Sequence, residues 1–155
     1  MPAGPAGESP REKQPALTVD GVVLLRRPTT HPRGTCDVLL VQRRYEPFQG
    51  KWSLPGGFVE YGEDLAAAVQ RETAEGTGLD GLLFRQFRTY GDPERDPRGH
   101  TVSVVYFAEI VGEAPQVKGG DDASQAAWFP VEDLPELAFD HLEILHDVLS
   151  TCGLD

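Results

Sequence analysis

The chain is short of cysteine, short of basic charge and without a long apolar run, and each shortage removes a class of explanation. Its two cysteines, Cys36 and Cys152, stand far apart with no neighbouring Cys/His ligand pattern. Neither a zinc site nor a disulfide framework is indicated, and a reducing cytoplasm is the expected compartment. Lysine and arginine total 14 against 25 aspartates and glutamates, a formal net charge of −11. Affinity for a nucleic-acid backbone comes from cationic side chains neutralising phosphates, so this balance argues against nucleic acid as a partner. A small polyanionic ligand remains compatible if a divalent cation or a few placed arginines offset the repulsion. Stretches such as VSVVYFAEIV are too short to span a bilayer, and no membrane association is expected. The amino-terminal MPAGPAGESPREKQP lacks the apolar segment of a secretory signal.

What is present describes one globular domain. With 155 residues, 39% apolar and 25% charged, the chain can bury a single hydrophobic core. Residues 1–16, rich in Pro, Gly and charge, are expected to form a disordered leader, leaving a single domain over 17–155. ALTVDGVVLLRR and CDVLLVQRR predict two strands, the first alternating, joined by the loop RPTTHPRGT. YEPFQGKWSLPGG reads as a turn-rich segment, and EDLAAAVQRETAE, from Glu63, as a helix. GLLFRQFRTY, TVSVVYFAEIV and AAWF predict further strands, with GDPERDPRGH a loop between the first two. HLEILHDVLS closes the chain as a helix with its apolar residues along one side. The expected fold class is α/β (α+β), a mixed sheet sandwiched with two principal helices.

The stretch RETAEGTGL places acid where a helix least favours it. At about 100° per residue, Glu72, Glu75 and position 76 share one face, continuing the stripe of Leu65 and Val69. Carboxylates in a last helical turn oppose the helix dipole by a fraction of ~1 kcal/mol each. A hard cation such as Mg²⁺ or Mn²⁺ would offset that charge and bridge to a phosphate-bearing substrate. The plainer alternative is a solvated acidic face, to which an isolated E-x-x-E usually belongs.

The surroundings decide between these. GGFVEYGEDLAAAVQRETAEGTGL resembles the Nudix box, G-x5-E-x7-R-E-U-x-E-E-x-G-U with U a bulky apolar residue. Gly57, Glu63, Arg71, Glu72, Glu75, Gly78 and Leu79 match in register, and Thr73 is a soft match to the first U. Gly76 departs, standing where the second glutamate of the E-E pair belongs. KWSLPGG before the box and AAWFP after it also suit the family. The resemblance implies a Nudix-type mixed sheet between helices and metal-dependent hydrolysis of a nucleoside diphosphate linked to another group. It implies Glu72, Glu75 and the carbonyl of Gly56 as metal ligands. Arg71 would orient a glutamate by a charge-assisted hydrogen bond, and Glu63 would brace the loop.

The segment GDPERDPRGH is similar to the ADP-ribose pyrophosphatase-like branch, which implies ADP-ribose as substrate and AMP and ribose 5-phosphate as products. Arg95, Arg98 and His100 are candidates for meeting phosphate or ribose, although the same residues suit a tight turn. Asp121 and Asp122 are candidates for a further base or ligand, with Glu60 and Glu109 as other acids able to compensate at position 76. Trp52 and Trp128 are expected mainly in the core, with base stacking as the alternative. His31, His141 and His146 show no ligand spacing and are expected to be structural or exposed. Gly76 either ends the helix early or leaves a hole that a loop carboxylate or water fills. Three functions therefore stay open: an active hydrolase, a nucleotide-binding protein with impaired turnover, and a nucleoside-triphosphate pyrophosphohydrolase. A homodimer is compatible, since many similar proteins pair.

Overall fold

A computed structural model describes residues 14–28 and 36–154. Most of the expected leader, the centre of the RPTTHPRGT loop and His31 lie outside the described residues. In chain order the elements are β1 (Ala16–Arg26), β2 (Cys36–Arg43), β3 (Trp52–Ser53), β4 (Gly56–Phe58), α1 (Leu65–Thr77), β5 (Arg85–Tyr90), β6 (Thr101–Val111), β7 (Ala123–Pro130) and α2 (His141–Cys152). All strands join one mixed seven-stranded sheet. No described helix is long and apolar enough to cross a membrane.

β1 organises the sheet. Along one edge it runs parallel to β6 from Ala16↔Thr101 to Arg26↔Val111. Along the other it pairs antiparallel with β4 through Thr18–Asp20 and with β2 through Leu24–Arg26. β2 continues antiparallel to β7 on its far side, and β5 lies antiparallel to β6. The long β1·β6 pairing is parallel because helical and looped crossovers separate the two strands, which a hairpin cannot do.

Each helix covers one face. On one side Val22, Leu24, Val38, Leu40, Leu54 and Val105 pack with Ile144, Leu145, Val148 and Leu149 of α2. On the other, Val19, Val104 and Tyr106 pack with Ala68 and Val69 of α1. Covering both faces corrects the expected alternation of β1: residues 18 to 25 are all buried, because no face is left for water. Gly21 allows this closeness, since a Cβ there would meet the Phe84 ring at 3.1 Å and Val69 Cγ2 at 3.3 Å.

Several boundaries differ from the sequence-based expectation, among them that of the last strand, β7, which runs over Ala123–Pro130 and not AAWF alone. The turn-rich YEPFQGKWSLPGG holds β3 and the start of β4, strands too short to carry a periodic signal. β5 begins at Arg85, not at Gly81, whose φ of 71° is a left-handed turn. The helix begins at Leu65, where the Asp64 carboxylate accepts the Ala66 N–H at 3.0 Å. It runs through Gly76 and stops at Gly78, whose φ of 82° and N–H bond to the Ala74 carbonyl form the cap. Gly76 therefore does not end the helix early.

Candidate active site

Arg71 on α1 binds the loop–helix segment together. Its Nε and Nη2 donate to the two oxygens of Glu63 at 2.7 and 3.0 Å, a forked pair. Nη1 donates to Glu72 at 2.9 Å and to Glu75 at 3.2 Å, and Nη2 also reaches the Phe58 carbonyl at 3.2 Å. One planar cation thus fixes three carboxylates and one backbone oxygen, which a lysine's single point charge does not do. The Arg71 guanidinium, helped by the Glu60 N–H, holds the Glu63 carboxyl down at about 2. Glu72 behaves oppositely: burial raises its pKa against the pull of Arg71, and the Glu75 and Asp122 charges add to the rise. A half-buried carboxylate facing like charges is the electrostatic setting that a bound cation relieves.

The paired glycines before the helix are required by close approach. A Cβ on Gly57 would sit 2.5 Å from Glu72 Oε1, so the carboxylate lies directly on that backbone. A Cβ on Gly56 would fall 2.3 Å from both Asp20 Oδ1 and the Val19 carbonyl, where β4 meets β1. Gly76 is different. A Cβ there would meet only Val41 Cγ1, at 3.7 Å, so the position has room for a side chain.

That room opens on a recess of about 350 Å³ lined by Glu72, Glu75, Gly76, Asp121 and Asp122 among others. The acidic loop is fastened there. Lys118 N–H donates to the Thr77 carbonyl at 3.1 Å, and a Cβ on Gly120 would lie 2.6 Å from the Glu75 carbonyl. Arg44, at the end of β2, donates through its backbone N–H to the Asp122 carbonyl and through Nε to the Asp121 carbonyl, each at 3.0 Å. Sheet, helix and loop thereby bring Asp121 and Asp122 beside the vacant position. Glu109 is held elsewhere, paired with Arg26 at 2.7 Å, while Glu60 lines the neighbouring cleft.

This larger cleft, of about 410 Å³, adjoins the recess and shares Glu72, Gly56, Arg43 and Asp122 with it. Arg95 and Arg98 line it; His100 does not, being exposed with Nε2 2.9 Å from the Gly91 carbonyl. The Arg95 side chain is 5% exposed and forks onto Asp140 at 2.9 and 2.7 Å, tying the 91–100 loop to the start of α2. Arg98 forks onto Asp96 at 3.1 and 2.8 Å. Trp52 packs edge-to-face on Phe129, with centroids 4.8 Å apart, and Trp128 donates to the Pro115 carbonyl at 3.0 Å; neither lines the cleft.

Several cleft residues escaped the sequence reading. Asp20 and His141 form a buried floor, with His141 Nε2 3.7 Å from Asp20 Oδ1 and Ser103 donating to Asp20 Oδ2. The Leu54 N–H donates to His141 Nδ1 at 3.0 Å, which puts the ring proton on Nε2, facing Asp20. Burial pushes the Asp20 carboxyl up to about 7, against its Ser103 bond, and pushes His141 down to about 3. The one signal in sequence was a lone aspartate inside an apolar strand, VDGVV. Arg43, half-buried, donates from Nε to the Pro47 carbonyl at 2.6 Å and stacks on Phe139 at 4.9 Å. Burial, with Arg98 nearby, lowers its pKa.

A mixed sheet between helices, with a forked arginine gathering glutamates from a loop–helix segment beside a cleft of charged residues, is the architecture that the box resemblance implied. The family model of the NUDIX domain matches residues 17–148, and the chain belongs to that family. It is 41% identical over 135 residues to an ADP-ribose pyrophosphatase of Methanocaldococcus jannaschii, covering 87% of this chain and 73% of that protein. It is 34% identical over 140 residues to the ADPR responsive transcriptional repressor NtrR of Acinetobacter baylyi, covering 88% of this chain and 54% of the repressor. In structure it is similar to the NUDIX domain of Shewanella oneidensis NrtR complexed with ADP ribose, with a TM-score of 0.80 and 36% identity over 95% of each chain.

Proposed function

We infer that the protein is a divalent-metal-dependent Nudix pyrophosphohydrolase that splits ADP-ribose into AMP and ribose 5-phosphate. The carboxylate recess carries this reading: Glu72 and Glu75 clamped by Arg71 beside Gly56, with Asp121 and Asp122 on the adjoining wall. The pyrophosphatase relative at 41% identity supports the substrate.

The donor set suits Mg²⁺ or Mn²⁺, being hard oxygen throughout. Among the described residues no three His, Cys, Asp or Glu side chains form a ready-made cation cage. An ion of the magnesium type, held by one or two carboxylates, water and substrate phosphates, needs none. Glu72, Glu75 and the Gly56 carbonyl would hold it. When bound, a divalent cation neutralises the diphosphate and makes nearby water more acidic. The chain's own groups perform the remaining work. Arg71 fixes both glutamates in orientation. Asp122, which lines both the recess and the cleft, takes the proton of the attacking water as the new O–P bond forms and the bridging P–O bond breaks. Arg43 meets phosphate oxygens with its Nη atoms, which no hydrogen bond among the described residues uses. Arg98 belongs to the nucleotide half of the cleft, while Arg95 holds its loop.

Gly76 favours a second reading, an ADP-ribose-binding Nudix domain with little turnover, and the ADP-ribose-responsive relative is its parallel. A hydrolysis panel of ADP-ribose, other sugar nucleotides and nucleoside triphosphates, with Mg²⁺ and with Mn²⁺, separates the readings. ADP-ribose is expected to turn over fastest. Binding of ADP-ribose without hydrolysis of any compound would establish the second reading, and preference for triphosphates would overturn the substrate.

A further inference from the structure

Two phenylalanines line the cleft wall, one of them in a strained backbone conformation. Phe58, at the end of β4, is 46% exposed. Phe139, just before α2, has φ 53°, a left-handed conformation that costs a residue other than glycine free energy and that clusters at ligand sites. One planar group reaches over both rings. The Arg98 guanidinium carbon is 5.0 Å from the Phe58 ring centroid and 5.6 Å from that of Phe139. Phe139 is in turn fixed by Phe48, with centroids 4.8 Å apart, and by Arg43. The Phe58 carbonyl is tied to Arg71, so this wall is mechanically joined to the carboxylate cluster.

The charge of Arg98 is already spent. Asp96, 3% exposed in its side chain, binds it with a forked pair. The guanidinium therefore offers the cleft a flat π-stacking face more than a free cation, the role left open for phosphate being that of Arg43. Two ring faces that both accept one guanidinium plane can accept a heterocyclic base in the same way, by stacking that tolerates many base identities.

We propose that Phe58 and Phe139 form the seat of the substrate's planar base, and that Arg98 occupies this seat in the free protein and is displaced by the base. This rests on reading the cleft as a nucleoside-diphosphate site. It assigns the base-recognition role to residues other than Trp52 and Trp128, which lie outside the cleft lining.

Calorimetric binding of AMP and of ribose 5-phosphate, in the presence of Mg²⁺, tests the seat without needing turnover. Phe58→Leu keeps apolar bulk at an exposed position, and a thermal melt checks its folding. It should weaken AMP by at least about fivefold and leave ribose 5-phosphate unchanged. Arg98→Ala combined with Asp96→Asn, which leaves no unpaired carboxylate in the cleft, should tighten AMP about two- to fivefold by removing the competing plane. Equal loss of both ligands in Phe58→Leu, or unchanged AMP affinity, overturns the base seat. Weakening of AMP in the Arg98→Ala, Asp96→Asn double variant, relative to Asp96→Asn alone, overturns the displacement and makes Arg98 a direct ligand. A wild-type protein that binds neither AMP nor ADP-ribose refutes the nucleotide reading itself, an outcome distinct from failure of the seat alone.

Discussion

Restoring a glutamate at position 76 tests whether the vacancy in the box is a lesion or an accommodation. The backbone there is ordinary helix, and a Cβ meets only Val41 Cγ1 at 3.7 Å, so neither strain nor clash opposes Gly76→Glu or Gly76→Ala. Alanine gains roughly 0.8–1 kcal/mol of helix propensity over glycine. For a chain of this size that is a rise in Tm of about 2–4 °C. Glutamate gains somewhat less, and loses about 0.2–0.5 kcal/mol to its i,i+4 neighbour Glu72 and about 0.3–1 kcal/mol to the helix dipole. Without a divalent cation, Gly76→Glu should therefore melt at or slightly below the wild type while Gly76→Ala melts above it. Adding Mg²⁺ should reverse the order, since a third carboxylate strengthens cation binding to the folded state alone. Turnover of ADP-ribose by Gly76→Glu should rise tenfold or more if charge stabilisation at the cation limits the rate. The matched measurements are differential scanning fluorimetry with and without Mg²⁺ and steady-state kinetics. An unchanged or lower rate, together with a Mg²⁺ response equal to that of Gly76→Ala, would refute the reasoning and leave the loop acids as the route by which the cation is placed.

The acidic loop supplies a second prediction. Asp122→Asn should lower kcat by about 10²–10⁴ as a general base is lost, whereas Asp121→Asn should have a far smaller effect; asparagine tolerates the φ of 50° at position 121, so folding is preserved. Equal losses would move the base to Asp121 or make both residues ligands. The buried floor supplies a third. His141, with its pKa held down at about 3, costs stability as pH falls below its ordinary value near 6.5; Asp20, raised from 3.8 to about 7, costs stability as pH rises through that interval. Between about pH 4 and 6.5 the two slopes oppose one another. In Asp20→Asn the opposing aspartate slope is removed, and stability should rise with pH more steeply than in the wild type across that window, His141 contributing up to about 1.4 kcal/mol per unit. Urea midpoints measured without divalent cation, and found flat with pH in Asp20→Asn, would contradict this.

Local information was enough where spacing along the chain equals geometry in space. Within one helix the positions of Arg71, Glu72, Glu75 and Gly76 follow from the 100° step, and their match to the Nudix box located the loop, the helix and the missing carboxylate. The capping glycine was harder to read: Gly76 and Gly78 both suit a helix end in sequence, and only the backbone shows the turn continuing to Gly78. The strand pattern of β1 was legible as a strand but not as a strand buried on both faces, because that depends on which helix returns to which side.

The sequence by itself therefore determined the family, the fold class and the acids of one helix. Tertiary structure alone decided what joins them. Asp20 of β1, Arg43 of β2, Phe58 of β4, Asp122 before β7 and His141 of α2 meet only because the strands pair in the order they do. Contacts at such separations leave no periodic trace in the chain, since each residue satisfies its local element equally well whatever lies across the cleft.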